Sequence, residues 1–233
     1  MELRLFDLGG TLVDSVWSKR EAFVRFARLK GVALPEEELR RRLAEFPVAR
    51  VRTGALIAWL GELGAYQAAP GDRELFRDIE QSLQMHVVPG AIEYLGALRE
   101  AGIQVGLVTN AGSAWLTNTV GRTPLGSFFC ADNIFGREDT EPKKPAPTAY
   151  LKALARFRPD LCVAYEDTPR GIEAARAAQV DLILGMATSE HHDPGSLLEA
   201  GADAVFRDYR EVPLHPWQGA GVDGGASRKS ETA

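Results

Sequence analysis

Between residues 89 and 206, short apolar runs alternate with helix-like segments, and this rhythm constrains the fold more than any other feature of the chain. Residues 104–108, 161–165, 180–184 and 203–206 have the length and aliphatic content of buried strands. Between them, residues 91–101, 113–120, 146–157 and 171–178, and a stretch near Leu197, carry helical spacing. Residues 3–6 add one more strand at the start of the chain. Strands that alternate with helices make a parallel sheet covered on both faces.

The first strand is separated from the rest by a region with a different period. From residue 15 to residue 86 no strand pattern occurs, and apolar residues recur at helical spacing, as with Phe23, Phe26 and Ala27. Gly31 is placed to stop the first helix, and Pro35 followed by Glu36, Glu37 and Glu38 to start the second. The predicted fold class is therefore α/β, a Rossmann-like parallel core with an inserted α-helical module. The core is expected at residues 1–14 and 87–215, the insert at 15–86, and a disordered tail rich in Gly, Ser and charge at 216–233.

Composition narrows the function classes. A net charge of -5 and the lack of a basic stripe give no footprint for nucleic acid. No run reaches the length of a membrane span, and no charged leader precedes an apolar stretch, so a cytoplasmic location is expected by default. Cys130 and Cys162 lack metal-type spacing and read as reduced, partly buried thiols. No feature specifies an oligomeric state.

Functional groups in a parallel sheet gather just past the carboxyl ends of the strands. Here those positions hold Asp7, Thr109-Asn110 and Glu166-Asp167, with Lys143-Lys144-Pro145 ahead of the helix at 146. A carboxylate able to attack, a hydroxyl, a lysine and an acidic pair suit phosphate chemistry. Carboxylates hold Mg2+, a hard cation that prefers oxygen. A lysine and a hydroxyl can neutralise and orient phosphoryl oxygens.

The motifs themselves resemble those of the haloacid dehalogenase (HAD) superfamily. Phe6-Asp7-Leu8-Gly9-Gly10-Thr11-Leu12-Val13-Asp14-Ser15 is similar to its first motif, Val108-Thr109-Asn110 to its second, Lys144-Pro145-Ala146-Pro147 to its third, and Tyr165-Glu166-Asp167-Thr168-Pro169-Arg170-Gly171 to its fourth. The form is that of β-phosphoglucomutase-like and phosphoglycolate phosphatase-like members. The resemblance implies that Asp7 attacks phosphorus to form an aspartyl-phosphate, and that Thr109, Asn110 and Lys144 bind the phosphoryl group. It implies that Asp7, Asp167, Glu166 and the Gly9 carbonyl hold Mg2+. The substrate is then a small phosphorylated metabolite, and the helical insert is a cap that excludes water and selects it.

The sequence departs from the family at residue 9, where the phosphatases and mutases carry a second Asp that protonates the leaving group and then activates water. Gly9 can do neither, although its carbonyl is retained. Losing a general acid/base typically costs ~10²–10⁴ in rate. Two other readings follow: a catalytically weak protein that binds a phosphorylated ligand or a partner, and a phosphonatase-like hydrolase of carbon–phosphorus bonds that uses a cap lysine. The insert offers Lys19 and Lys30 for that role, and Glu45 as a compensating acid/base. Arg50, in the loop 46–50, could meet a substrate anion.

Several residues have plainer readings. Asp14 reads as a cap for the first insert helix. Of the adjacent lysines, Lys144 is the site residue and Lys143 a solvated charge. His191 and His192 beside Asp193 could offer a metal site but read rather as a solvated surface pair, and His86 has no evident partner.

Overall fold

The computed structural model describes residues 1–32, 35–45, 53–64, 66–189 and 192–216. Among them, six strands form one all-parallel sheet: β1 (Glu2–Phe6), β2 (Gln104–Val108), β3 (Ile134–Phe135), β4 (Leu161–Glu166), β5 (Leu182–Met186) and β6 (Ala204–Phe206). The order is β3-β2-β1-β4-β5-β6. The chain steps outward from β1 to β3, then crosses back to β4 on the other side of β1. That reversal leaves a crevice beyond the carboxyl ends of β1 and β4, the usual place for a ligand in such a sheet.

Helices cover both faces. α5 (Ala91–Glu100) and α6 (Ser113–Gly121) lie on one, and α7 (Thr148–Phe157), α8 (Pro169–Ala177) and α9 (Pro194–Glu199) on the other. The pleat of β1 explains the division. Leu3 and Leu5 join the cluster with Ala149, Ile172 and Ala175, whereas Phe6 joins the one with Tyr94, Leu95 and Leu98. Both faces of β1 are thus buried, as expected of a central strand.

The insert comprises α1 (Ser15–Leu29), α2 (Glu36–Glu45), α3 (Thr53–Glu62) and α4 (Asp72–Ser82). Its apolar cluster is separate from those of the sheet and is built on Phe23, Phe26, Leu56, Leu60 and Phe76. Asp14 caps α1 as expected, its Oδ1 accepting from the Trp17 N–H at 2.8 Å. The two crossings between core and insert lie side by side. Asp14 N–H donates to the His86 carbonyl at 2.9 Å, and Val88 N–H donates to the Leu12 carbonyl at 2.8 Å. The His86 ring stacks on Trp17 at 3.8 Å, which supplies the partner that the sequence did not reveal.

Some details differ from expectation. β3 spans two residues, too short to leave an alternating pattern. α8 begins at Pro169 rather than Gly171, because Thr168 caps it and proline is at home in a first turn. Cys130 is exposed rather than partly buried; both cysteines are free. The tail from residue 217, the loop 46–50 with Arg50, His191 and the Glu45 side chain lie outside the described residues. Among the described residues no helix is long and apolar enough to cross a membrane.

Candidate active site

The loop after β1 is held tightly. Asp7 N–H donates to the Tyr165 carbonyl at 2.9 Å, Gly10 N–H to the Val13 carbonyl at 2.7 Å, and Leu12 N–H to the Leu8 carbonyl at 2.9 Å. Beneath it, Phe6 stacks on Tyr165 with ring centroids 4.3 Å apart, and the Tyr209 hydroxyl donates to the Thr11 carbonyl at 3.2 Å. A rigid apolar floor therefore fixes the position of Asp7.

Lys144 is the hub of the site. Its side chain is 4% exposed. Nζ donates to Asp7 Oδ1 at 2.7 Å, to Glu166 Oε1 at 2.5 Å and to the Val108 carbonyl at 2.7 Å, using all three protons of the ammonium. The backbone on either side is anchored too. Lys144 N–H donates to Asn110 Oδ1 at 3.1 Å, and its carbonyl accepts from Arg170 Nη2 at 2.7 Å. Lys143, by contrast, points outward to Glu141. Thr109 is buried just past β2, with Oγ1 accepting from the Ala111 N–H at 3.1 Å.

Asp7, Glu166 and Asp167 each bring a carboxylate oxygen within 4.8 Å of the others. Glu166 is fully buried at the end of β4; its Oε1 also accepts from the Tyr150 hydroxyl at 2.6 Å. Its Oε2 is buried with no hydrogen-bond partner among the described residues. A buried carboxylate oxygen left without a donor is costly unless a cation reaches it. Three carboxylates form an all-oxygen set of the kind that suits a hard divalent cation, so the residues present fit Mg2+.

The charges shift one another. Burial pushes Asp7 above the usual carboxylate range, with Lys144 pulling it back and Asp167 adding to the rise. Burial likewise drives Glu166 up to about 8 against the pull of Lys144. Burial works against the charge on Lys144, but Asp7 and Glu166 outweigh it and hold its pKa above the ordinary lysine value. Lys144 is thus a fixed cation between two carboxyl groups that resist ionising in the absence of a metal.

Two glycines make room for these carboxylates. Gly10 has φ +96, and a Cβ there would lie 1.9 Å from Asp167 Oδ2. A Cβ on Gly171 would lie 1.8 Å from Glu166 Oε2. Gly9 differs: a Cβ there would meet Ser15 Cβ and Oγ at 3.2 Å, so the Ser15 side chain covers the position where a residue 9 side chain would begin.

All the sequence-selected residues, Asp7, Gly9, Thr109, Asn110, Lys144, Glu166 and Asp167, therefore lie at the sheet edge around the crevice. Three further residues join them without having been singled out: Tyr150, Arg170 and Thr11, whose Oγ1 donates to Asp167 Oδ1 at 3.4 Å; His192 joins them too. Thr11 and Arg170 lay inside recognised motifs. Tyr150 sits on the buried face of α7, where periodicity marks it only as core. The solvated reading of His192 is corrected, since its side chain is 9% exposed and its Nε2 is 3.4 Å from Asp167 Oδ2. A cleft of about 590 Å³ opens beside it, between Gly10, Thr188 and His192 on one side and Asp14, His86 and Val88 on the other.

Comparison with known proteins agrees with this geometry. The chain is 29% identical over 221 residues to a validoxylamine A 7'-phosphate phosphatase of Streptomyces hygroscopicus subsp. limoneus, covering 91% of this chain and 95% of that one. It is 32% identical to hexitol phosphatase A of Escherichia coli (strain K12), covering 77% and 80%. The structure of a candidate β-phosphoglucomutase from Thermotoga maritima superposes with a TM-score of 0.73 at 27% identity, over 90% of this chain and 96% of that one. The profile of the haloacid dehalogenase-like hydrolases matches residues 1–179, and the chain belongs to that family.

Proposed function

We propose that the protein is a phosphatase or phosphotransferase that acts on a small phosphorylated metabolite, a phosphorylated sugar or sugar-like alcohol, through an aspartyl-phosphate on Asp7. The observation that carries this reading is the ammonium of Lys144 held at 2.7 Å from Asp7 Oδ1 inside a three-carboxylate cluster. The names of the phosphatases it resembles support the substrate class.

In this reading Asp7 attacks phosphorus, and the bond from phosphorus to the leaving oxygen breaks. Lys144 screens the nucleophile from the incoming anion and, with Thr109, binds the phosphoryl oxygens. Asn110 acts mainly by holding the Lys144 backbone. Asp7, Glu166, Asp167 and the Gly9 carbonyl hold Mg2+. When bound, that ion neutralises phosphoryl charge that the carboxylates would otherwise repel. The helices at 15–86 act as a cap over the site.

Gly9 limits turnover. The leaving oxygen needs a proton, and the aspartyl-phosphate needs an activated water, yet residue 9 has no group that can supply either. This favours slow release of phosphate from Asp7, or a role as a phospho-ligand-binding protein. The carbon–phosphorus reading is weaker, because it requires a neutral cap lysine. Lys19 pairs with Glu80 at 3.2 Å, and Lys30 lies 2.8 Å from Asp72, whose hydrogen bond holds the Lys30 ammonium above its ordinary pKa.

The test is a paired assay of the protein and its Gly9→Asp variant with Mg2+, sugar phosphates and an aryl phosphate, with mass spectrometry of Asp7. Labelling of Asp7 in the parent and faster turnover by the variant are expected. Two inert, unlabelled proteins would sink the reading.

A further inference from the structure

Ser15 borders the space left by the missing side chain of residue 9. A Cβ on Gly9 would meet Ser15 Cβ and Oγ, both at 3.2 Å, and Trp115 Cη2 at 3.8 Å. A hydroxyl from the first turn of α1 and an indole edge from α6 thus stand over Gly9, two residues on from Asp7.

Behind Ser15 lies a charged pair. Lys19 follows it by one helical turn, and side chains four apart on a helix share a face and lean toward its N-terminus. Lys19 Nζ accordingly reaches back to the Ser15 carbonyl at 3.4 Å. It also lies 3.2 Å from Glu80 Oε1, which the Ser18 hydroxyl approaches at 3.5 Å. Glu80 is 7% exposed, on α4. The next residue fastens that end of α4 to the core. The Gln81 carbonyl accepts from Asn118 Nδ2 at 2.6 Å and from Arg122 Nη1 at 3.2 Å, both on the helix that carries Trp115. The core helix that walls Gly9 therefore also holds Glu80 in place. A structural tie between α1 and α4 accounts for Glu80, but not for a hydroxyl over Gly9 with an ammonium one turn behind it.

We infer that Ser15, Lys19 and Glu80 form a proton relay that does the work of the absent residue 9 side chain. The inference rests on the proposal that Asp7 forms an aspartyl-phosphate. Ser15 is the catalytic residue, Lys19 stores the proton, and Glu80 positions Lys19. The Ser15 carbonyl and Oγ belong to one residue, within the swing of a flexible four-carbon side chain. As Asp7 bonds to phosphorus and the leaving oxygen departs, that oxygen takes the Ser15 Oγ proton, and Oγ takes one from the Lys19 ammonium. Water then gives a proton to Oγ, which returns one to Lys19. The water oxygen bonds to phosphorus, the bond from Asp7 to phosphorus breaks, and phosphate leaves with Lys19 an ammonium again. Two transfers through a hydroxyl are less effective than one carboxylate in place, so turnover stays below that of Gly9→Asp.

The experiment gives the full chain Mg2+ and either a sugar phosphate, whose leaving oxygen needs a proton, or an aryl phosphate, whose leaving oxygen needs little help. Rapid-quench mass spectrometry follows phosphate on Asp7. Ser15→Gly and Lys19→Met should each slow sugar-phosphate turnover about 10- to 100-fold. With the aryl phosphate they should slow release of the label, so that phosphate accumulates on Asp7. In the Gly9→Asp background Ser15→Gly should instead speed turnover, because residue 9 then carries the proton and loses a steric neighbour. Activity of that double variant also shows that the substitution folds. Slowing by Ser15→Gly in both backgrounds alike makes Ser15 a structural residue and overturns the inference, as does slowing in neither. A label that the parent never releases from Asp7 overturns it too, and leaves the aspartyl-phosphate standing. No label and no turnover in any variant removes the aspartyl-phosphate and this inference with it.

Discussion

The ammonium of Lys144 lies 2.7 Å from Asp7 Oδ1, although the helical insert and two strands of the sheet separate the two residues in sequence. β1 delivers the carboxylate, and the turn before α7 delivers the cation. Replacing Lys144 with Met leaves Asp7 and Glu166 buried without their counter-charge. Breaking a buried pair in this way costs about 3–5 kcal/mol. The expected outcome is a clear drop in the urea midpoint and loss of inorganic phosphate binding by calorimetry. An unchanged midpoint would show that Lys144 is not the hub.

Gly9→Asp has to displace Ser15. The new Cβ would sit 3.2 Å from Ser15 Cβ and Oγ, closer than side chains pack without adjustment. Adding Ser15→Gly removes that obstacle. Both variants should hydrolyse an aryl phosphate ~10²–10⁴ faster than the parent. The double variant should be the faster of the two. Equal rates would mean that Ser15 yields freely.

Gly171 is fixed by what lies against it, and Gly10 both by that and by its φ of +96. Gly10→Ala drives a methyl into Asp167, and Gly171→Ala drives one into Glu166. Each should weaken Mg2+ binding about 10- to 100-fold by tilting a carboxylate out of the cluster. Gly96→Ala is the control, because nothing lies within 4 Å of the added carbon there and its backbone is not in the left-handed region. Calorimetric titration with Mg2+ checks all three.

The raised pKa of Glu166 sets a pH dependence. Burial brings it to about 8 from an ordinary 4.5. Across that window the folded, metal-free protein holds a proton that the unfolded chain has lost, so stability falls as pH rises. Mg2+ binds the ionised carboxylates and recovers that loss. The rise in Tm on adding Mg2+ should therefore be larger at about pH 8.5 than at about pH 6. Calorimetric melts with and without Mg2+ at both pH values measure it. An equal rise at both would mean that Glu166 is already ionised without metal.

Much of the site was legible because its residues sit inside short local motifs. Asp7, Thr109, Lys144 and Asp167 each follow a recognisable strand or precede a recognisable helix. What local pattern cannot carry is convergence from outside those motifs. Tyr150 reaches Glu166 from a helix face whose spacing reads only as core. His192 reaches Asp167 from a polar loop that looks solvated in sequence. The two residues of β3 owe their strand conformation to β2 alongside them, not to any pattern of their own. The sheet and the helical insert were readable for the opposite reason, since each repeats a period long enough to register.

The paired crossings at Asp14–His86 and Leu12–Val88 make the insert a side branch rather than a link in the main chain of the fold. The sheet meets it as a closed stem whose two ends are already fastened together. The entropy of closing that stem grows only slowly with the length of chain beyond it. Inserts of other sizes can then be exchanged at residues 14 and 87 with little effect on how the strands pair. On the proposed function, phosphoryl chemistry and substrate choice can in this way change independently, one written in the sheet and the other in a detachable branch.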